Sequence, residues 1–225
     1  MTDPRAPSVI VNFKAYSEVE GDKALRLAQA CQDVAERTGV SIAVCPPAVA
    51  IAQIARSVNV PVFAQHVDPC KPGAATGRLT AQLLRGAGAK GTLINHSERR
   101  LRLADIAMAI DACRANDMLT VMCTDTPSTS AAAASLRPDL IAVEPPELIG
   151  GDISITDARP EVIERTVSEV RRVDDSVNVL CGAGIKTGLD VKRAVELGAV
   201  GVLLASGVVK AADPVKVLTD LVQYL

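Results

Sequence analysis

The sequence is poor in aromatic residues and in net charge. Phe, Tyr and Trp together make up 2% of the 225 residues, and Trp is absent. A surface on which nucleobases stack therefore has almost nothing to be built from. The formal net charge is −2, from 24 basic and 26 acidic residues, which argues against a basic face for a polyanion. We expect no nucleic-acid partner, and local groups must hold any anionic ligand.

Long apolar runs and closely spaced cysteine pairs are also missing. Runs such as Val200–Ala205 are too short to cross a bilayer, and the opening MTDPRAPS has no basic stretch followed by an apolar one. We expect no membrane partner and no signal peptide. With two histidines and no C-x-x-C pair, we expect no metal site. Six scattered cysteines are typical of a reducing, cytoplasmic location: Cys31, Cys45, Cys70, Cys113, Cys123 and Cys181.

Eight short β-branched runs recur along the chain, at a spacing of about 28 residues, the size of one βα unit. They are continuous rather than alternating, as in parallel strands that are buried on both faces. The predicted strands are Ser8–Asn12, Val40–Cys45, Val60–Gln65, Gly91–Asn95, Leu119–Cys123, Asp139–Val143, Val177–Cys181 and Val200–Ala205.

Amphipathic stretches between these runs predict helices over Asp22–Thr38, Arg100–Asn116, Pro160–Val173, Leu189–Leu197 and Pro214–Leu225, and a short helix over Ser130–Ser135. No linker divides the chain, so we expect one domain over residues 1–225. Eight unbroken βα units predict an α/β fold, a closed (β/α)8 barrel. The alternative is an open doubly wound sheet, which usually carries a glycine-rich turn after its first strand; NFKAY follows here, with no glycine.

In such a barrel the active site lies at the carboxyl ends of the strands. Lys14, His96 and Glu144 each follow a predicted strand, as do glycine-containing turns at Gly182–Gly184 and Ser206–Gly207. Each feature alone has an ordinary explanation: a solvated lysine, a structural histidine, a surface carboxylate, a common strand-to-helix turn. Together on one rim they predict a base, a hydrogen-bond donor, a cation and two backbone phosphate sites.

These motifs resemble the triosephosphate isomerase family, in its short archaeal form, from end to end. The resemblance rests on VNFKAY at residues 11–16, AQHVDPCKPGAATG at 64–77, NHSE at 95–98, EPPELIG at 144–150, CGAGI at 181–185 and LLASGVVKAADP at 203–214.

The resemblance implies isomerisation of dihydroxyacetone phosphate and D-glyceraldehyde 3-phosphate through an enediolate, with no metal and no organic cofactor. Glu144 would be the base and His96 a neutral electrophile, which is the family's known pairing. Lys14 would stabilise the developing oxyanion, and Asn12 would contact substrate and help to hold Lys14. Glu98 would support Lys14 and His96, although a helix N-terminus also favours a carboxylate there.

The resemblance also assigns the phosphate to backbone N–H groups at Ile149, Gly150, Gly184, Ala205 and Ser206. Archaeal relatives usually continue ELIG with Thr-Gly, whereas this chain reads Gly150-Gly151-Asp152. The change should loosen the tip of the loop that follows Glu144, and we expect Asp152 to point to solvent.

The strand-three motif bears on assembly. Thr76 matches a family position that reaches a neighbouring subunit's active site, so the resemblance implies a homo-oligomer, a homotetramer with a homodimer as the alternative. His66 of the same motif is expected to have a packing role.

Two other functions remain open. One is a different sugar-phosphate enzyme on the same barrel, such as an epimerase, although a chain with only two histidines argues against a metal-dependent one. The other is a barrel that binds a phosphorylated metabolite without catalysis, which would need the phosphate turns but not the base.

Overall fold

A computed structural model of the chain describes residues 8–145 and 159–225, in which eight parallel strands alternate with helices. The strands are β1 (Val9–Asn12), β2 (Ile42–Cys45), β3 (Phe63–Ala64), β4 (Gly91–Ile94), β5 (Leu119–Thr124), β6 (Leu140–Val143), β7 (Asn178–Cys181) and β8 (Gly201–Leu204). The helices are α1 (Asp22–Thr38), α2 (Ile51–Ala55), α3 (Ala81–Gly86), α4 (Leu103–Arg114), α5 (Pro127–Ala134), α6 (Pro160–Val173), α7 (Gly188–Glu196), α8 (Ser206–Val209) and α9 (Pro214–Val222).

The strands form a nearly closed barrel, as predicted. Their order in the sheet is β2-β1-β8-β7-β6-β5-β4-β3, so the first and last strands of the chain are neighbours. The two ends of the sheet approach through a parallel bridge between Val44 and Val62, where the Val44 N–H donates to the Pro61 carbonyl at 3.0 Å. The open doubly wound alternative is therefore wrong.

The core has two layers because successive strand side chains point to opposite faces. One set fills the barrel interior and is almost completely buried: Ile10, Ala43, Cys45, Phe63, Leu93, Leu119, Val121, Cys123, Leu140, Ala142, Leu180 and Leu203. The intervening strand residues, such as Val9, Val11 and Val44, pack against the helices. Burial on both faces explains why the strands are continuous apolar runs rather than alternating ones.

Several predicted boundaries need correction. Helices α1 and α6 have the predicted ends, but α4 begins at Leu103 rather than Arg100, because the residues before it bond to Asn95. Strand β3 covers only Phe63–Ala64 of the predicted Val60–Gln65, since Pro61 has no N–H for a strand ladder. Helix α9 ends at Val222. The short helices α2, α3 and α8 were not predicted from the sequence.

Candidate active site

The loop after β1 holds a lysine in an unusual backbone conformation. Lys14 has φ +50°, a region that costs a non-glycine residue free energy and that is found mainly at functional sites. Its N–H donates to Asn12 Oδ1 at 3.0 Å, and Gln65 Nε2 donates to its carbonyl at 2.9 Å. Both backbone polar groups of Lys14 are thus held by side chains, which fixes the direction in which its side chain leaves the backbone. The predicted support of Lys14 by Asn12 is present.

The loop after β4 fixes the protonation state of a histidine. The Glu98 N–H donates to His96 Nδ1 at 3.2 Å, so Nδ1 is an acceptor and the ring proton lies on Nε2. Burial lowers the pKa of His96, and the nearby Lys14 ammonium lowers it further. Both effects disfavour the charged imidazolium, which leaves a neutral ring with an Nε2–H donor.

Glu98 contacts both groups, the Lys14 ammonium through its carboxylate and the His96 ring through its backbone N–H. One carboxylate oxygen lies 2.9 Å from Lys14 Nζ and the other 3.6 Å from His96 Nδ1. The Lys14 side chain is 12% exposed, so its charge is largely removed from water and needs this partner. The alternative role for Glu98, at a helix N-terminus, is wrong because α4 begins five residues later, at Leu103.

Glu144 is a buried carboxylate directly after β6. Its Oε1 lies 3.7 Å from His96 Nε2, and its buried Oε2 has no hydrogen-bond partner within the described residues. Burial raises the pKa of Glu144 to about 7, although the Cys123 thiol, Lys14 and Arg100 act to lower it. An ionised carboxylate with so little solvation is a strong base.

The glycine after β7 leaves room for this carboxylate. A Cβ at Gly182 would lie 2.4 Å from Glu144 Cγ and 3.1 Å from the Val143 carbonyl oxygen. A carbon atom cannot approach another non-bonded carbon so closely. Gly182 therefore decides where the Glu144 side chain can sit, a role that sequence reasoning missed because it gave the Gly182–Gly184 turn only a phosphate-binding role.

The predicted site residues within the described part of the chain line one cavity of about 320 Å³: Asn12, Lys14, His96, Glu144, Gly184, Ala205 and Ser206. Gly184 has φ +68°, a conformation that glycine adopts without strain. The predicted phosphate contacts Ile149 and Gly150 lie outside the described residues, as does Asp152.

Groups that the sequence did not single out also border the site. Tyr16 lines the cavity, and its ring lies 4.3 Å from Lys210 Nζ, which joins the loops after β1 and β8. The sequence carries no local signal for this pair because the two residues are far apart in the chain. His66 is buried, lies 3.3 Å from Asp68 Oδ1 through Nε2 and does not line the cavity, as expected of a packing residue.

Within the described residues, no three His, Cys, Asp or Glu side chains lie close enough together to hold one metal ion. All six cysteines are free, and five of them are buried. Over residues 8–145 and 159–225, no helix is long and apolar enough to cross a membrane.

A base, a neutral N–H donor and a fixed ammonium around one cavity can perform one kind of chemistry directly. The carboxylate can remove a proton from a carbon beside a carbonyl group, and the imidazole and ammonium can stabilise the oxyanion that forms. The Glu144–His96 distance of 3.7 Å is longer than a hydrogen bond, so neither group is tied to the other and both can contact a ligand in the cavity.

Comparison with known proteins agrees with this chemistry. The profile of the triosephosphate isomerase family matches residues 7–225. Curated proteins named triosephosphate isomerase are similar over nearly their whole length. The protein from Methanothermus fervidus is 50% identical over 96% of this chain and 97% of its own. The one from Methanothermobacter thermautotrophicus is 52% identical over 96% and 94%, and that from Methanocaldococcus jannaschii 47% over 96% and 99%.

Proposed function

This chain belongs to the triosephosphate isomerase family, and from that premise we propose how its residues perform the reaction. It is an isomerase that interconverts dihydroxyacetone phosphate and D-glyceraldehyde 3-phosphate, a step of glycolysis and, in the opposite direction, of gluconeogenesis. The two sugars differ in the position of one carbonyl group and two hydrogens. The reaction therefore needs a base that takes a proton from one carbon and returns it to the next.

Glu144 is the base, and its surroundings carry the proposal. Glu144 lines the cavity, and its buried Oε2 is without a hydrogen-bond partner among the described residues, so no protein donor at that oxygen stabilises the ionised form. The pKa of about 7 that burial produces means that the carboxylate is ionised above neutrality and basic enough to accept a proton. Transfer of that proton to Glu144 leaves an enediolate.

His96 and Lys14 stabilise the enediolate. The Nε2–H of neutral His96 donates to the substrate oxygens, because Nδ1 is occupied by the Glu98 N–H. The Lys14 ammonium, held by Glu98 at 2.9 Å, places a positive charge beside the oxyanion and the phosphate. Donors fixed in advance and shielded from water stabilise such charge more strongly than mobile solvent does.

The phosphate is bound by backbone N–H groups at Gly184, Ala205 and Ser206, with Ile149 and Gly150 added by the family resemblance. Gly184 supports this role because its positive φ and lack of a side chain allow a ligand to approach the backbone closely. Backbone donors also explain how a protein of net charge −2 binds a dianion. Asn12 contacts the substrate while its Oδ1 holds the Lys14 N–H.

We further propose that residues 1–225 form one domain that works in the cytoplasm as a homotetramer, without a metal or an organic cofactor. The homodimer is the alternative assembly. Support comes from the single barrel sheet, the free cysteines and the match of exposed Thr76 to a family position that reaches a neighbouring subunit. Sedimentation equilibrium separates the two assemblies by mass.

The decisive experiment is a coupled assay of glyceraldehyde 3-phosphate isomerisation in EDTA, with the wild type, Glu144→Gln and Glu164→Gln. Loss of the base should lower kcat by about 10²–10⁴-fold, because the amide cannot accept the proton. Glu164, an exposed residue of α6, makes the same chemical change away from the cavity and should leave kcat intact.

The other outcomes separate the alternatives. A Glu144→Gln rate within tenfold of the wild type would contradict Glu144 as the base. An inactive wild type that still binds inorganic phosphate in the cavity would instead indicate a binding protein. Loss of wild-type activity in EDTA, restored by a divalent metal, would contradict the proposed metal independence.

A further inference from the structure

Arg100 bridges the ends of two strands beside the active site. It lies in the segment between β4 and α4, four residues after His96. Its Nη1 donates to the Asn95 carbonyl at 2.9 Å, and its Nη2 forms an ion pair with Asp125 Oδ1, directly after β5. The Arg100 and Asp125 side chains are 36% and 35% exposed, so the pair is partly shielded from solvent.

The residue that Arg100 holds on the β4 side is strained and directly precedes His96. Asn95 has φ +60°, and all its side-chain polar groups are used. Its Nδ2 donates to the Cys123 carbonyl at 3.0 Å, and its Oδ1 accepts from the Leu101 N–H at 2.9 Å. A strained residue keeps its conformation only where its surroundings determine it. The Arg100 bond to its carbonyl is one of these determinants, and it sets the direction in which the chain enters His96.

On the β5 side, Asp125 is connected to Glu144 through the neighbouring residue Thr124. The Glu144 N–H donates to the Thr124 carbonyl at 2.8 Å, and Thr124 is followed by Asp125. A continuous path of bonds therefore runs from Asn95 through the Arg100 guanidinium to Asp125 and Thr124, and from there to the base. It joins the backbones of the two residues whose side chains lie 3.7 Å apart in the cavity.

We propose that Arg100 is a positioning residue of this isomerase: by joining Asn95 to Asp125, its guanidinium fixes the separation between the His96 imidazole and the Glu144 carboxylate. The proposal rests on the proposed roles of those two residues. A guanidinium can do this because it is planar and presents several N–H donors in fixed directions, whereas a lysine ammonium is a point charge on a flexible stem.

Arg100 also carries a charge, whose effect can be separated from its position. The groups that face Glu144 are the Arg100 and Lys14 cations, Glu98, the His96 ring, and the Cys123 and Cys181 thiols. Among these, Arg100 and Lys14 lower the pKa of Glu144. Removal of the Arg100 charge should therefore raise that pKa and move the acid limb of the kcat/KM profile to higher pH. A variant that keeps the charge but loses the Arg100 hydrogen bonds should not move the acid limb to higher pH.

Three variants test this separation. Arg100→Met removes both the N–H donors and the charge. Arg100→Lys keeps the charge but lacks the planar guanidinium donors. Asp125→Asn keeps Arg100 but weakens its ion pair on the β5 side. The matched control is Arg102→Met, because Arg102 is an exposed arginine paired with Asp105 at 2.9 Å on α4, away from the cavity. Thermal unfolding and far-UV circular dichroism of each variant establish that it is folded.

We expect kcat to fall about ten- to a hundredfold in all three variants, since displacement of a catalytic group by 1 Å can cost about a hundredfold. KM should stay within twofold, because the loss falls on the transition state. The acid limb should move to higher pH in Arg100→Met, and it should not do so in Arg100→Lys or Asp125→Asn. Arg102→Met should match the wild type.

Wild-type kcat in folded Arg100→Lys and Asp125→Asn would overturn the positioning role, whatever the fate of Arg100→Met. A pH shift in Arg100→Met without a fall in kcat would reduce Arg100 to a distant charge and would equally refute the proposal. Failure of the proposed function itself gives a different pattern, an inactive wild type or a fully active Glu144→Gln.

Discussion

Gly182→Ala tests whether the space beside Glu144 controls catalysis. The added Cβ would lie 2.4 Å from Glu144 Cγ, 3.2 Å from Glu144 Cδ and 3.1 Å from the Val143 carbonyl oxygen. Non-bonded carbon atoms prefer about 3.5–4.0 Å, so the glutamate side chain must move by at least about 1 Å. Residue 182 cannot easily retreat, because its N–H donates to the Val143 carbonyl at 2.9 Å.

The expected cost falls on catalysis more than on stability. A displacement of about 1 Å in a reacting group lowers the rate by about a hundredfold, whereas one extra methyl group in a packed region destabilises a protein by about 1–3 kcal/mol. We therefore expect kcat of Gly182→Ala to fall about a hundredfold in the coupled isomerase assay. Chemical denaturation should show that the variant is still folded in the absence of denaturant.

The control is Gly86→Ala, at the end of α3, where an added Cβ meets no atom within 4 Å. This variant should keep wild-type kcat and, because alanine favours a helix over glycine, raise the free energy of unfolding by no more than about 1 kcal/mol. A Gly182→Ala enzyme with kcat within threefold of the wild type would refute the reasoning. It would mean that the Glu144 carboxylate reaches its working position from elsewhere in the cavity.

Two further predictions follow from the raised pKa of Glu144, about 7. The kcat/KM of the free enzyme should fall about tenfold per pH unit below 7, because the base becomes protonated. A kcat/KM that does not change between pH 5 and pH 8 would contradict this. Ionisation of the buried Glu144 carboxylate lowers the free energy of unfolding as the pH rises from about 4.5 to 7. Chemical denaturation at pH 8 should therefore show Glu144→Gln to be more stable than the wild type, by up to about 3 kcal/mol. Near pH 4 the two proteins should be equally stable.

Several features of this protein were predictable from the sequence alone. Continuous β-branched runs require strands with two buried faces, and eight of them at a regular spacing predict the barrel. In a parallel barrel every strand ends at the same rim, so the residue after each run marks the site. Lys14, His96 and Glu144 were found in this way, and the structure places all three around one cavity.

The rest depends on contacts between residues far apart in the chain. Lys14 and Glu98 are 84 positions apart, and no local pattern predicts that they meet at 2.9 Å. The short strand β3 and the start of α4 differ from prediction because Pro61 and Asn95 change the hydrogen bonding locally. Sequence also misses the clearance that Gly182 leaves for Glu144 and the Arg100–Asp125 bridge, since both form only when neighbouring strand ends are packed.

The division has a physical reason. Hydrophobic burial is non-directional and depends on which residues are apolar, so a linear pattern determines the barrel and the rim on which its polar residues lie. The pKa of Glu144, the tautomer of His96 and the 3.7 Å between them depend on desolvation and on directional hydrogen bonds between strand ends. Desolvation and these hydrogen bonds exist only in the packed tertiary structure, because they depend on the exact distances between groups that are far apart in the chain.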